Sequence, residues 1–156
     1  MKALSLTQPW ASLVAIGAKT YETRSWSTSY RGQLAIAAAK GFPRDCQELV
    51  VLSEPFKSVL AAAGLDLRKL HEVRGHIVAV VELVDIVRVD GSVPRSMPAP
   101  MKHEMPFGDY SPGRFAWIMS NLRRLERPVP AKGALGIWQT PADVELAVVE
   151  QLKEVA

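Results

Sequence analysis

The chain has 156 residues and a mass of 17.1 kDa, with a formal net charge of +3 and a pI near 9.2. At 48% hydrophobic and 22% charged residues the composition is that of an ordinary globular protein, which excludes a disordered, collagen-like or coiled-coil chain. No apolar run reaches the roughly 18 residues of a membrane span, and the single Cys46 excludes an internal disulfide framework. One domain over residues 1–156 in the cytoplasm is expected, with no membrane association. The mild basicity is compatible with a nucleic-acid partner but does not demand one.

Ala3 to Leu6 reads as a first strand. Thr7-Gln8-Pro9 then starts a helix, with a hydroxyl for the free amides and proline in the first turn. Trp10, Leu13, Val14 and Gly17 recur at helical pitch and lay an apolar stripe, which Gly17 terminates. The stretch Gly17-Ala18-Lys19-Thr20-Tyr21-Glu22-Thr23-Arg24, followed by Ser25-Trp26, alternates like a strand. Such a strand puts Glu22, Arg24 and Trp26 on one face and Tyr21, Thr23 and Ser25 on the other.

A polar turn through Tyr30-Arg31-Gly32 leads into a strand from Gln33 to Ala39. Its many alanines imply a close neighbour or room for a pocket. Pro43 to Ala63 turns helical, divided at Pro55 and ended by Gly64, and Leu65 to Val73 reads as a short helix or connector. Ile77 to Val89 is the clearest strand, apolar on both faces. Glu82 interrupts it as a carboxylate among hydrocarbons. It is expected to be paired as a scaffold contact, turned out by a bulge, or poised as a general acid or base in one pocket with Lys19.

Residues 90–113 are rich in proline, glycine and methionine and read as a long loop, a lid or a surface insertion. Arg95, Lys102, His103 and Tyr110 are its candidates for reaching a ligand. A strand returns at Arg114 to Met119, followed by the basic cluster Arg123, Arg124 and Arg127, with Lys132 beyond. That cluster is either a solvated surface or a phosphate-contacting rim. Lys132 to Trp138 reads as a turn and last strand, and Thr140-Pro141-Ala142-Asp143 opens a packing helix. The sum is an α+β chain of about five or six strands with peripheral helices.

The run Ser5 to Ala11, the Gly17–Trp26 stretch and Tyr30-Arg31-Gly32 together resemble the ASCH domain, whose signature is G-x-K-x-x-E-x-R after a short helix. The resemblance implies a PUA-like mixed β-barrel and functions tied to RNA or modified nucleosides and nucleotides. It also implies a cleft with Lys19 and Glu82 at its base. Where many relatives carry a histidine before Ala-Ser-Lys, this chain has Ala37-Ala38-Ala39-Lys40.

Two functions follow from these residues and that resemblance. In a binding module, Arg24, Arg31 and Lys40 contact phosphate, Trp26 or Tyr30 stacks on a base, and Lys19 and Glu22 read base edges. In a metal-independent hydrolase, acting on acylated cytidine or on RNA, Lys19 serves as base and Glu82 as acid. Some relatives carry a threonine where this chain has Glu22, so Thr20, Tyr21 or Thr23 would have to supply the hydroxyl. No cofactor or metal is expected, because His71, His76 and His103 lack ligand spacing. The sequence identifies no protein partner.

Overall fold

The computed structural model describes residues 1–90 and 103–154. Six strands form one curled half-barrel sheet, β1 (Lys2–Leu6), β2 (Tyr21–Arg24), β3 (Gly32–Ala38), β4 (His76–Arg88), β5 (Phe115–Pro130) and β6 (Ile137–Gln139), in the order β2-β5-β4-β3-β1-β6. Only β1 and β3 run parallel; every other pair is antiparallel, so the sheet is mixed. The expected α+β, PUA-like architecture is therefore present. Five helices surround it: α1 (Trp10–Ala15), α2 (Arg44–Leu52), α3 (Phe56–Ala62), α4 (Leu67–Glu72) and α5 (Ala142–Glu154).

Each face of the sheet has its own core. On one, Leu4, Leu6, Leu34, Ile36, Val81, Leu83 and Trp117 pack under Ala11, Val14 and Ala15 of α1. On the other, Ala3, Ala35, Ala37, Ile77 and Val80 lie against Val144 and Val148 of α5. The alanines of β3 thus leave the room a helix needs to approach the sheet closely. A third core joins Leu13 to α2, α3 and α4 and reaches Phe107, whose ring meets Phe56 edge-on at 5.0 Å.

Three local expectations need correction. The Thr7 hydroxyl does not cap the free amides of α1. Instead the buried Gln8 accepts from the Ser12 amide at 3.0 Å and donates to the Ser12 hydroxyl and the Leu70 carbonyl. The carboxamide carries its acceptor and its two donors on separate atoms, so it serves all three partners at once. The strand read as Arg114 to Met119 runs on to Pro130, so that the basic cluster Arg123–Arg127 lies within β5, which is 16 residues long. Glu82 is exposed, not enclosed by hydrocarbon.

The reason for the last lies in the sheet. The pairing of β4 with β5 shifts register between Val80 and Glu82, and Glu82 stands between Gln33 and Ser120, both exposed. A bulge re-aims the side chain, and the residues on either side leave it in water. Among the expected alternatives, the bulge is the one realised.

Trp117 is fully buried, packs edge-on against Trp26 at 4.8 Å and donates its indole N–H to the Trp26 carbonyl. Trp117→Ala is expected to destabilise the fold by about 3–5 kcal/mol, read as a lower midpoint in urea unfolding.

Candidate functional site

Gly17 ends α1 in the left-handed conformation, with φ +79°. That turn lets the amides of Ala18 and Lys19 both donate to the Leu13 carbonyl, at 3.0 and 3.1 Å. Lys19 consequently enters the interior at a fixed point and is only 2% exposed. Its ammonium donates to the Tyr21 carbonyl at 2.5 Å and the Phe107 carbonyl at 3.2 Å, and lies 3.9 Å from Glu22 Oε1. Burial lowers its pKa below the usual 10.5, against the opposing pull of Glu22 and Glu104.

Further bonds fasten the segment Glu104–Asp109 over β2. The Glu104 carboxylate accepts from the Thr20 amide and hydroxyl. The Asp109 amide donates to Thr23 Oγ1 at 2.9 Å, and Arg114 Nη2 donates to the Thr23 carbonyl at 3.0 Å. Gly108 makes the approach possible: a Cβ there would lie 2.7 Å from Tyr110 Cε2 and 3.2 Å from Thr23 Oγ1.

Between this segment and the start of α1 opens a cleft of about 350 Å³. Leu6, Thr7 and the half-buried Trp10 form one wall, Glu22, Thr23 and Arg24 the floor, and Pro106 to Asp109 with Arg114 the other wall. Glu22 is buried yet lines the cleft; its Oε1 accepts from the Thr23 amide at 2.9 Å, while its Oε2 has no hydrogen-bond partner among the described residues. Arg114 Nε, itself buried, has no hydrogen-bond acceptor among them either, with Asp109 Oδ2 at 3.6 Å. Arg24 lies over the Trp26 ring at 5.6 Å and forms no ion pair among the described residues. The arrangement presents two carboxylates, two guanidiniums and an indole to a small molecule or a chain segment.

Of the site residues read from the sequence, Glu22 and Arg24 line this cleft and Lys19 lies behind its floor. The cavity that Lys19 itself lines, about 220 Å³, is bounded by Val14, Val81, Met119 and Ser120, and not by Glu82. Tyr21 is buried with Val89 and Ala116, and that burial together with Glu104 raises its pKa. Trp26 and Tyr30 pack on the main core, and the Tyr30 hydroxyl is spent on the Gln33 carbonyl. Neither Trp26 nor Tyr30 lines the cleft.

Arg31 donates to the Thr28 and Tyr30 carbonyls and pairs with Asp85 at 3.4 Å. Lys40 lines a different cavity. His103 is exposed and Tyr110 half-buried, while Arg95 and Lys102 lie outside the described residues. Sequence reasoning missed Thr7, Trp10, Asp109 and Arg114. Thr7 and Trp10 were legible only as a helix start, and nothing local in residues 103–114 signals that they return to β2. Among the described residues no three His, Cys, Asp or Glu side chains are grouped to hold a metal ion, and no helix is long and apolar enough to cross a membrane.

Residues 4–129 match the family described as ASCH domain. Activating signal cointegrator 1 of Homo sapiens is 29% identical over 143 residues, which is 90% of this chain but 22% of that protein. The Mus musculus protein of the same name is 29% identical over 145 residues with the same coverage. The chain thus spans about a fifth of the length of these curated relatives. The crystal structure of ASCH from Zymomonas mobilis superposes with a TM-score of 0.52 at 12% identity, covering 96% of this chain and 93% of that one. A mutant of the same protein gives a TM-score of 0.53 at 12% identity and covers 96% of each chain.

Two outcomes test the geometry. Gly108→Ala is expected to cost about 1–3 kcal/mol through overpacking, and to speed hydrogen exchange at the Asp109 amide as its bond to Thr23 loosens. For Lys19, a base whose folded pKa is lowered, the unfolded chain binds the extra proton between that pKa and 10.5. Stability from this group therefore rises with pH across that window. Lys19→Met should abolish this rise, so the stability difference between wild type and variant grows as pH climbs toward 10.5. Chemical denaturation of both proteins over a pH series measures it.

Proposed function

The chain belongs to the ASCH domain family, and from that membership we propose that the Trp10–Glu22 cleft receives a nucleotide of RNA or a modified nucleoside. The observation that carries this reading is the Glu22 carboxylate. It is held in place through Oε1 and offers Oε2 as an acceptor inside a cleft that also holds Arg24, Arg114 and a second carboxylate, Asp109, which Ser111 and Arg114 already engage. An ionised carboxylate only accepts, so it selects a base edge that donates, such as an exocyclic amine or a ring N–H.

The remaining groups take complementary parts. Arg24 and Arg114 line the cleft and supply positive charge for a phosphate. Trp10 offers the face of an indole, where one stacked base contributes about 1–3 kcal/mol. Lys19 has no direct contact in this scheme: it fixes the backbone of Tyr21 and Phe107 on either side of the ligand.

A hydrolase of the same family, cleaving acylated cytidine or RNA without metal, draws its support from the lowered pKa of Lys19. It lacks the second partner, since Lys19 and Glu82 share no cavity.

Titration calorimetry with a panel of nucleotides tests the binding reading. Glu22→Gln is expected to weaken the preferred nucleotide about tenfold or more, as loss of a charge-assisted hydrogen bond, and to narrow the preference between bases. Trp10→Ala should weaken all bases alike by about 1–3 kcal/mol. Unchanged affinity in both variants sinks the proposal. Incubation with acylated cytidines addresses the alternative: turnover abolished by Lys19→Ala would favour the enzyme.

A further inference from the structure

Two adjoining hollows, about 410 and 440 Å³, share Lys40, Gly75, Ala131 and Lys132. Their common sill is a backbone bridge, with the Ala131 amide donating to the Gly75 carbonyl at 2.9 Å. Gly75 has φ +72°, and a Cβ there would lie 3.2 Å from Lys40 Cε, so the lysine stem lies across the glycine. Arg74 is bent over the same place, its Nη1 donating to the Lys40 carbonyl at 2.8 Å and its Nε to the His71 carbonyl. His76 Nδ1 stands 2.8 Å from the Arg74 carbonyl.

Lys40, Arg74, His76 and Lys132 thus line one trough, and none of them forms an ion pair among the described residues. A single carboxylate, Asp143, lines it with them. Beside the cations lies apolar surface, at the half-buried Ala39 and at Leu135, which is 99% exposed. Cationic points separated by apolar surface suit a chain in which phosphates alternate with sugar and base.

The trough is tied to the first cleft by β1. Ser5 lines the trough and Leu6 lines the cleft, on alternate faces of the strand, and the Ala39 amide donates to the Leu6 carbonyl at 2.9 Å. We infer that the Lys40–Lys132 trough is a second binding site, which takes backbone phosphates of a single-stranded RNA whose neighbouring nucleotide occupies the Trp10–Glu22 cleft. The choice of RNA rests on the reading of that cleft; the anion site rests on the trough itself. The ligand is then a polynucleotide, and a free nucleotide fills only part of the site.

The test is fluorescence anisotropy of a short labelled single-stranded RNA over a salt series. Lys40→Glu/Lys132→Glu is compared with Lys57→Glu/Lys153→Glu, an exposed pair outside both clefts with the same change in net charge. The trough variant should lose at least tenfold more RNA affinity than the control and flatten the dependence of log K on log salt by about 0.7 per lysine. Its mononucleotide binding should be unchanged. Lys132→Gln alone should show part of the loss.

Equal losses in the two double variants overturn the proposal. So does retained RNA binding with lost binding of poly-glutamate, which would assign the trough to an acidic polypeptide. A trough variant that loses RNA, alongside Glu22→Gln with unaltered nucleotide binding, would support the anion site and overturn the reading of the first cleft.

Discussion

The architecture around the cleft depends on one buried cation. The Lys19 ammonium bridges the carbonyls of Tyr21 and Phe107, residues 86 positions apart, with the Glu22 carboxylate behind it. An ammonium removed from water must have its donors satisfied or it costs several kcal/mol. Here the satisfying groups come from β2 and from the segment that faces it. The charge can be buried only when that segment is in place, so folding of the lysine and construction of the cleft are a single event. Phe107 reinforces the arrangement from its other side, because its ring enters the helical core beside Phe56.

The two clefts share an origin in the short parallel pair β1–β3. Small residues at Ala35 and Ala37 let α5 close on one face, while Ala11, Val14 and Ala15 bring α1 close on the other. Beyond the ends of these strands the chain leaves the sheet, into α1 after Leu6 and toward α2 after Ala38. Open space at the carboxyl ends of parallel strands is where ligand sites commonly arise. On the readings proposed above, the cleft, lined by Glu22, Asp109 and the Trp10 indole, discriminates between ligands, whereas the trough, lined by Lys40, Arg74 and Lys132, attracts them.

Membership of the ASCH family accounts for the fold and for the conspicuous Gly17–Arg24 stretch. The solved relatives at 12% identity show the half-barrel and nothing finer. The cointegrators match over 22% of their length. Glu22 is part of the G-x-K-x-x-E-x-R signature, whereas the alanines leading to Lys40 stand where many relatives carry a histidine before Ala-Ser-Lys.

The sequence by itself determined the elements and the signature. Branched residues on both faces marked β4, small residues between flanking glycines marked β3, helical pitch marked α1 and α5, and glycine at position 17 marked the turn that feeds Lys19 inward, because these depend on local backbone preference and on which face must be apolar. Glu22 and Arg24 were legible as a pair on one strand face for the same reason. Only tertiary structure decided which of the polar residues meet. Glu82 had the pattern of a buried acid, yet a register shift and exposed neighbours on β3 and β5 put it in water. Trp26, Tyr30 and Arg31 had the chemistry of ligand contacts, yet each is consumed by the core or by its own turn. Trp10, Asp109 and Arg114 were silent because their meeting with Glu22 joins positions far apart in the chain, and no local preference encodes a contact that exists only once the sheet has curled.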